Sequence, residues 1–329
     1  MKQSLLSKYR TELMGFAVLW IAFLHAQMWF RFGPLQIFKR TGHGGVDIFF
    51  FLSSFGLYYA YQKGERGWSF IKKRLLRIIP IFVPIAIVRI IINHYDFTAS
   101  FMLLSTYIFW IGWDRSMWFI SGIILLYLIT PWYLNYLTKG NEKKKTFLWV
   151  GITLIISILL RNTWQSVFFA RVPIYLLGFY AGKLSYEEVI FDKRAMLYLC
   201  LSFVVGVILY CLGFYLDVED SVLWGWGLYW YPNLFLVWPL CLFLSSFFDY
   251  LDRKGMSLLG SVLKQFGSVS LEFYLLHELC IRYFGNRIAF PYPYEYNGIL
   301  ENLLIILLTF IIAKIYHFVM NGITKGVNV

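Results

Sequence analysis

The chain has 329 residues, of which 59% are hydrophobic, 21% aromatic and only 15% charged, with a mean hydropathy of +0.63. Soluble domains carry closer to a quarter charged residues and disordered chains lack long apolar runs, so both classes are excluded. The net charge of +12 does not indicate nucleic acid, because the Lys and Arg residues sit in short clusters between apolar runs, as membrane topology requires.

A helix needs roughly 20 apolar residues to cross a hydrocarbon layer about 30 Å thick. In chain order the candidate spans are residues 13–30, 45–62, 75–93, 98–112, 117–137, 146–160, 167–184, 195–216, 228–248, 268–286 and 300–321. The first has a basic start but no small-residue cleavage site, which reads as a retained helix. The longest connection runs from Asp249 to Gly267, too short for a soluble domain, so residues 1–329 are expected to form a single membrane domain.

Charge bias sets the number of crossings, because Lys and Arg near helix ends favour the cytoplasmic side. With all segments crossing, about 12 basic loop residues lie inside and about 14 outside, which is no bias. If 98–112 dips in and returns, the split becomes about 20 to 6, and Lys139, Lys143, Lys144, Lys145, Lys193, Arg194, Arg253, Lys254, Lys264 and Lys325 all face the cytoplasm. Giving 146–160 the non-crossing role yields only about 17 to 9. The expected architecture is therefore an all-α bundle of about ten transmembrane helices, with both termini cytoplasmic and a re-entrant segment near 98–112. The acidic loop of Asp217, Glu219 and Asp220 then faces outward.

Ionisable side chains inside spans are costly, so each is a functional candidate. His25 lies about two-thirds of the way along the first span, where a neutral imidazole can serve as a general base toward a hydroxyl. An equal reading is a histidine bonded to a neighbouring helix. Asp47 opens the second span, and a hairpin would bring its carboxylate beside His25 to fix the tautomer; the alternative is a first-turn helix acid following Gly44 and Gly45. Ser53 and Ser54 can donate to a carbonyl or simply pack.

The stretch RGWSFIKKRLLRIIP carries Lys72, Lys73, Arg74 and Arg77. It suits an anchor on anionic lipid, and it also suits a phosphate clamp, because the planar Arg fork matches phosphate oxygens. Arg77, nearest the apolar run, is the preferred clamp residue. Arg89, Arg171 and His277 are deeper polar groups, with Glu272 and Glu278 near the last of these. Trp118 is either part of an interfacial aromatic belt or a wall of a sugar site. His43, His94 and His317 receive no role. Four cysteines, Cys200, Cys211, Cys241 and Cys280, fall in apolar segments without metal-ligand spacing, and no metal is expected.

Taken in order, these segments resemble the acyltransferase type 3 family of multi-spanning membrane acyltransferases. GFAVLWIAFLH ending at His25 is similar to the family's opening helix with its terminal base. GGVDIFFFLSSFGL is similar to its Gly-Val-Asp signature, with Asp47 and Ser53. KKRLLRIIP resembles the basic segment before a Pro, and MWFISGIILLYLITP the segment carrying Trp118, Tyr127 and Pro131. RVPIYLLGFYAGKL and SVSLEFYLLH resemble the later segments with Arg171 and His277. Two positions depart from the pattern: an Arg often found eleven residues before the histidine is Met14, with Arg10 one turn below, and the Gly of the Ser-Gly-Phe signature is Ser54.

The resemblance implies a membrane O-acyltransferase of the bacterial plasma membrane, with acetyl as the default group. It would move that group from cytoplasmic acyl-CoA (acetyl-CoA) to a hydroxyl of a cell-envelope or secreted polysaccharide or its lipid-linked precursor. His25 and Asp47 would be catalytic. Arg77, Arg74, Lys73 and Arg10 would hold the donor, and Ser53, Trp118, Arg171 and His277 would line the substrate cavity. The polysaccharide synthesis machinery would be a partner. The rival is a glycan or small-molecule transporter using intramembrane His and Arg residues as a proton relay.

Overall fold

The computed structural model describes residues 1–28, 30–93, 118–161, 163, 165–216, 229–285 and 294–327. The expected re-entrant segment 98–112 and the acidic loop near 217–220 lie outside these. Among the described residues the regular elements are all helices, apart from an isolated bridge between Lys2 and Ile190. They are α1 (Leu5–Lys8), α2 (Arg10–His25), α3 (Gly33–Arg40), α4 (Gly44–Gln62), α5 (Gly67–Asn93), α6 (Trp118–Leu137) and α7 (Glu142–Leu159). They continue as α8 (Ser166–Phe169), α9 (Val172–Tyr186), α10 (Lys193–Tyr215), α11 (Pro232–Arg253), α12 (Leu258–Ser268), α13 (Ser270–Phe284) and α14 (Tyr294–Val327).

Local chemistry sets several boundaries. Asn141 accepts from the Lys144 amide at 2.9 Å to start α7, and Asp192 accepts from Ala195 at 2.8 Å to start α10. Pro173 and Pro232 stand in the first turns of α9 and α11, where a missing N–H costs nothing. The first span is shorter than expected. It ends at His25 because Ala26 is extended and the Gln27 amide turns to Asn302 Oδ1 at 2.9 Å, so the histidine terminates the helix. The basic stretch is not a separate surface segment: it forms the first turns of the long α5, continuous with the apolar run.

Among the described residues, six helical segments are long and apolar enough to cross a membrane: Gly67–Ile92, Trp118–Leu137, Ser166–Tyr186, Lys193–Tyr215, Pro232–Arg253 and Gly298–Ile323. The shorter α2 and the more polar α4 sit inside the bundle, in contact with each other and with neighbouring helices. A helix enclosed by protein needs neither full membrane length nor high hydropathy. The connection after Asp249 is also not a plain loop, since α12 lies in it and packs on α2.

The central contacts depend on glycines. A Cβ on Gly15 would come within 1.8 Å of the Leu263 carbonyl, and one on Gly267 within 1.8 Å of the Thr11 carbonyl, so α2 and α12 meet backbone to backbone. Helix α9 carries Gly178 and Gly182 one turn apart on the face toward α4, the small-residue pattern that allows membrane helices to approach closely. There a Cβ on Gly178 would stand 2.0 Å from Ser54 Oγ and 2.3 Å from the Phe51 carbonyl. The Ser54 departure is thus accommodated: its hydroxyl turns back to the Phe50 and Phe51 carbonyls, at 3.2 and 3.0 Å, opposite a residue without a side chain.

Replacing Gly178 by Ala is expected to lower stability by about 1–3 kcal/mol or prevent folding, because the Phe51 backbone cannot yield. Adding Ser54→Gly leaves that backbone clash in place and should not restore the protein. Thermal unfolding in detergent checks both variants.

Candidate active site

The terminal imidazole of α2 meets another imidazole. His25 Nδ1 lies 2.8 Å from His277 Nε2, and the rings stack with centroids 5.0 Å apart. His277 comes from α13, is 4% exposed, and places its Nδ1 2.5 Å from the Tyr274 carbonyl one turn earlier. His25 itself is exposed. Next in sequence to His277, Glu278 binds Arg89 of α5 at 3.2 Å and Arg282 at 2.7 Å. Glu272 lies five residues before His277 and pairs instead with His317 of α14 at 2.6 Å.

Asp47 is not the partner of His25 that the sequence suggested. Its fully buried carboxylate receives Asn233 Nδ2 at 2.6 Å and faces Arg171 Nε at 3.3 Å, an ion pair rather than an aligned hydrogen bond. Asn233 also contacts His43 and accepts from the Tyr210 hydroxyl. Arg171, expected to line a substrate cavity, is 1% exposed, sandwiched by Trp118 and Trp230 at 4.7 and 4.1 Å, and donates to the Val167 carbonyl at 2.7 Å. Trp118 is therefore a cover for this cation. The group ties α4, α9 and α11 together around a charge pair that lipid could not solvate.

A cavity of about 330 Å³ lies elsewhere, between α2, α4, α5, α6 and α13. Arg10, Ser53, Lys73, Arg74 and Arg77, chosen separately from three stretches of sequence, all line it, together with Met14. Arg10 reaches across to α4, donating from Nε to the Leu52 carbonyl at 3.2 Å. Its guanidinium lies over Gly56, where a Cβ would stand 2.8 Å from it. Glu65, which sequence reasoning passed over, also lines the cavity and binds Lys73 at 2.8 Å as well as Arg74. No carboxylate pairs with Arg77 or Arg10 among the described residues, so the charge left over in the cavity is theirs. Arg77 also borders an adjoining cavity of about 150 Å³.

Toward the histidines the lining becomes aromatic. The farthest wall residues on α4, α6 and α13 are Phe49, Phe119 and Tyr274. Their rings form a triangle, with Phe119 5.1 Å from Tyr274 and 5.9 Å from Phe49, and Phe49 6.4 Å from Tyr274. Tyr274 in turn contacts His277, 5.6 Å between ring centroids. A basic cavity thus ends at three rings, about one helical turn, or 4.5 Å of rise, short of the histidine pair. All three fall in the segments that carry the family resemblance, Phe49 two residues after Asp47, Phe119 next to Trp118 and Tyr274 three before His277, but sequence reasoning gave none of them a role, because an aromatic in an apolar run reads as core.

An all-helical, multi-pass membrane protein with a cationic cavity leading toward paired imidazoles is the class that fold and site define. Residues 13–317 match the sequence model of the type 3 acyltransferase family, described as an acyltransferase domain. The chain belongs to that family and is a membrane acyltransferase; Arg10 lies outside the matched range. No curated protein and no solved structure matches the chain.

If Asp47 serves to hold α4 to α9 and α11, Asp47→Asn leaves Arg171 a buried unpaired cation and should cost about 3–5 kcal/mol. Replacing both partners, Asp47→Asn with Arg171→Met, should recover part of that loss. Unfolding temperature distinguishes this from a purely catalytic defect, in which stability would be unchanged.

Proposed function

We propose that the protein is an O-acyltransferase, with acetyl as the default group. It takes the acyl group from cytoplasmic acyl-CoA and passes it to a hydroxyl of a cell-envelope or secreted polysaccharide or its lipid-linked precursor. The observation that carries this reading is the cavity of about 330 Å³, cationic at its exposed end and closed by Phe49, Phe119 and Tyr274 next to the histidines. Arg77 and Arg10 are its uncompensated charges, and a diphosphate with a long uncharged arm is the donor chemistry that suits them. The arm would extend past Ser53 toward the three rings, and the acceptor would come from the exposed face of His25.

Arg10 stands about 22 Å of helix rise from His25, so donor phosphates and reacting hydroxyl belong to opposite ends of the same helix. His25 acts as the general base on the acceptor hydroxyl. Each turnover requires the thioester to pass the aromatic triangle, which otherwise separates the two ends. About ten crossings with cytoplasmic termini fit this arrangement, since the positive-inside rule then puts the basic cavity on the side where acyl-CoA is made.

His25→Ala, inserted normally in the membrane, should lower acyl transfer by about 10²–10⁴-fold. This is read from release of free coenzyme A by the purified protein, together with mass spectrometry of ester groups on cell glycans. Glycans identical with and without the intact gene would remove the polysaccharide acceptor. For the donor end, Arg77→Ala should raise the apparent KM for acyl-CoA by roughly 10–100-fold. Gly56→Ala should raise it through displacement of Arg10, with kcat nearly unchanged. An unaltered KM in both variants would place the donor elsewhere.

A further inference from the structure

The contacts around His25 fix the positions of protons as well as of rings. A backbone carbonyl only accepts, so His277 Nδ1, 2.5 Å from the Tyr274 oxygen, carries a hydrogen. In a neutral imidazole the second nitrogen is then an acceptor. His277 Nε2 therefore receives, and His25 Nδ1, 2.8 Å away, is the donor. His25 Nε2 is left with its lone pair.

We propose that His277 is a positioning residue that holds His25 in its Nδ1–H tautomer, making Nε2 the atom that takes the acceptor's proton. The inference rests on the base role of His25 proposed above. As the acceptor O–H passes its proton to Nε2, the hydroxyl oxygen attacks the thioester carbonyl carbon. The C–O bond forms, the C–S bond breaks, and the departing thiolate recovers the proton from Nε2, so that ester and free thiol balance thioester and alcohol. During that interval His25 is an imidazolium, and its Nδ1–H bond to neutral His277 becomes charge-assisted and stronger.

Among the described residues no carboxylate fills this place. Asp47 is engaged by Arg171 and Asn233, and Glu278 by Arg89 and Arg282. His277 itself is held by the Tyr274 carbonyl and by the ring of Phe273, parallel to it within 2° at 6.4 Å. The tautomer is thus set by a relay from backbone carbonyl to His277 to His25, anchored on the buried face of α13.

The test is nitrogen-15 NMR of the full chain in lipid bilayers with labelled histidine. There are five histidines, so the His25 signals follow from comparison with His25→Ala. At neutral pH the wild type should show His25 Nδ1 protonated and Nε2 bare. In His277→Leu the tautomers should mix and kcat should fall by about 10²-fold, with the KM for acyl-CoA unchanged. His277→Gln offers a side-chain oxygen to the same Nδ1–H and should restore both the tautomer and most of kcat. A protonated Nε2 in the wild type overturns the proposal, and so does a His277→Leu variant with unchanged tautomer and kcat. Should His25→Ala transfer acyl groups as well as wild type while the NMR signals are as expected, the base role fails and the tautomer relay alone stands.

Discussion

Lipid offers no hydrogen-bond donor or acceptor, so a charged side chain inside this protein is costly unless another part of the bundle partners it. That constraint accounts for the pairing of Asp47 with Arg171, Arg89 with Glu278, Glu272 with His317 and His25 with His277. Each pair joins two different helices, so the groups that look expensive in the sequence also fix which helices are neighbours. A surface ion pair in water would contribute little; a buried pair contributes specificity, because an alternative packing would strand a charge.

The same interior depends on residues with no side chain. Gly15 and Gly267 bring α2 and α12 to backbone contact, and Gly178 does so for α4 and α9. The consequence for the site is direct. Helix α4 contributes Asp47 to the buried ion pair, Phe49 to the aromatic triangle, Ser53 to the cavity wall and Gly56 to the seat of Arg10. These positions are spread along one helix, so its placement by α2 and α9 sets the cavity and the polar cluster at once.

The division of charge is the other organising feature. Arg10 and Arg77 keep uncompensated charge at one end of the cavity, while Glu65 neutralises Lys73 and Arg74 beside them. A site of four unpaired cations would bind any anion at its mouth. Two guanidiniums without a carboxylate partner among the described residues, beside two paired cations, leave a localised charge rather than a diffuse cationic surface. Arg10 stands one turn below Met14, and the geometry lets it reach the cavity that Met14 also lines, so the missing first-helix arginine leaves the wall with a cation from the turn below.

Composition and apolar run length alone determined that this is an all-helical membrane protein, because hydrocarbon thickness and backbone hydrogen bonding admit few other solutions. The ordered motifs pointed to its family and to Ser53, Lys73, Arg74 and Arg77, and the departure at Met14 drew attention to Arg10, residues whose chemistry is conspicuous against an apolar background. The partners of these groups were not legible. Asp47 near the start of a hairpin looked like the natural companion of His25, yet tertiary packing gave it Arg171 and Asn233, from helices far along the chain, and gave His25 a histidine 252 residues away. Sequence registers what a side chain is and how it repeats along one helix; which faces meet is decided by close packing among many helices, and only the tertiary structure records that choice.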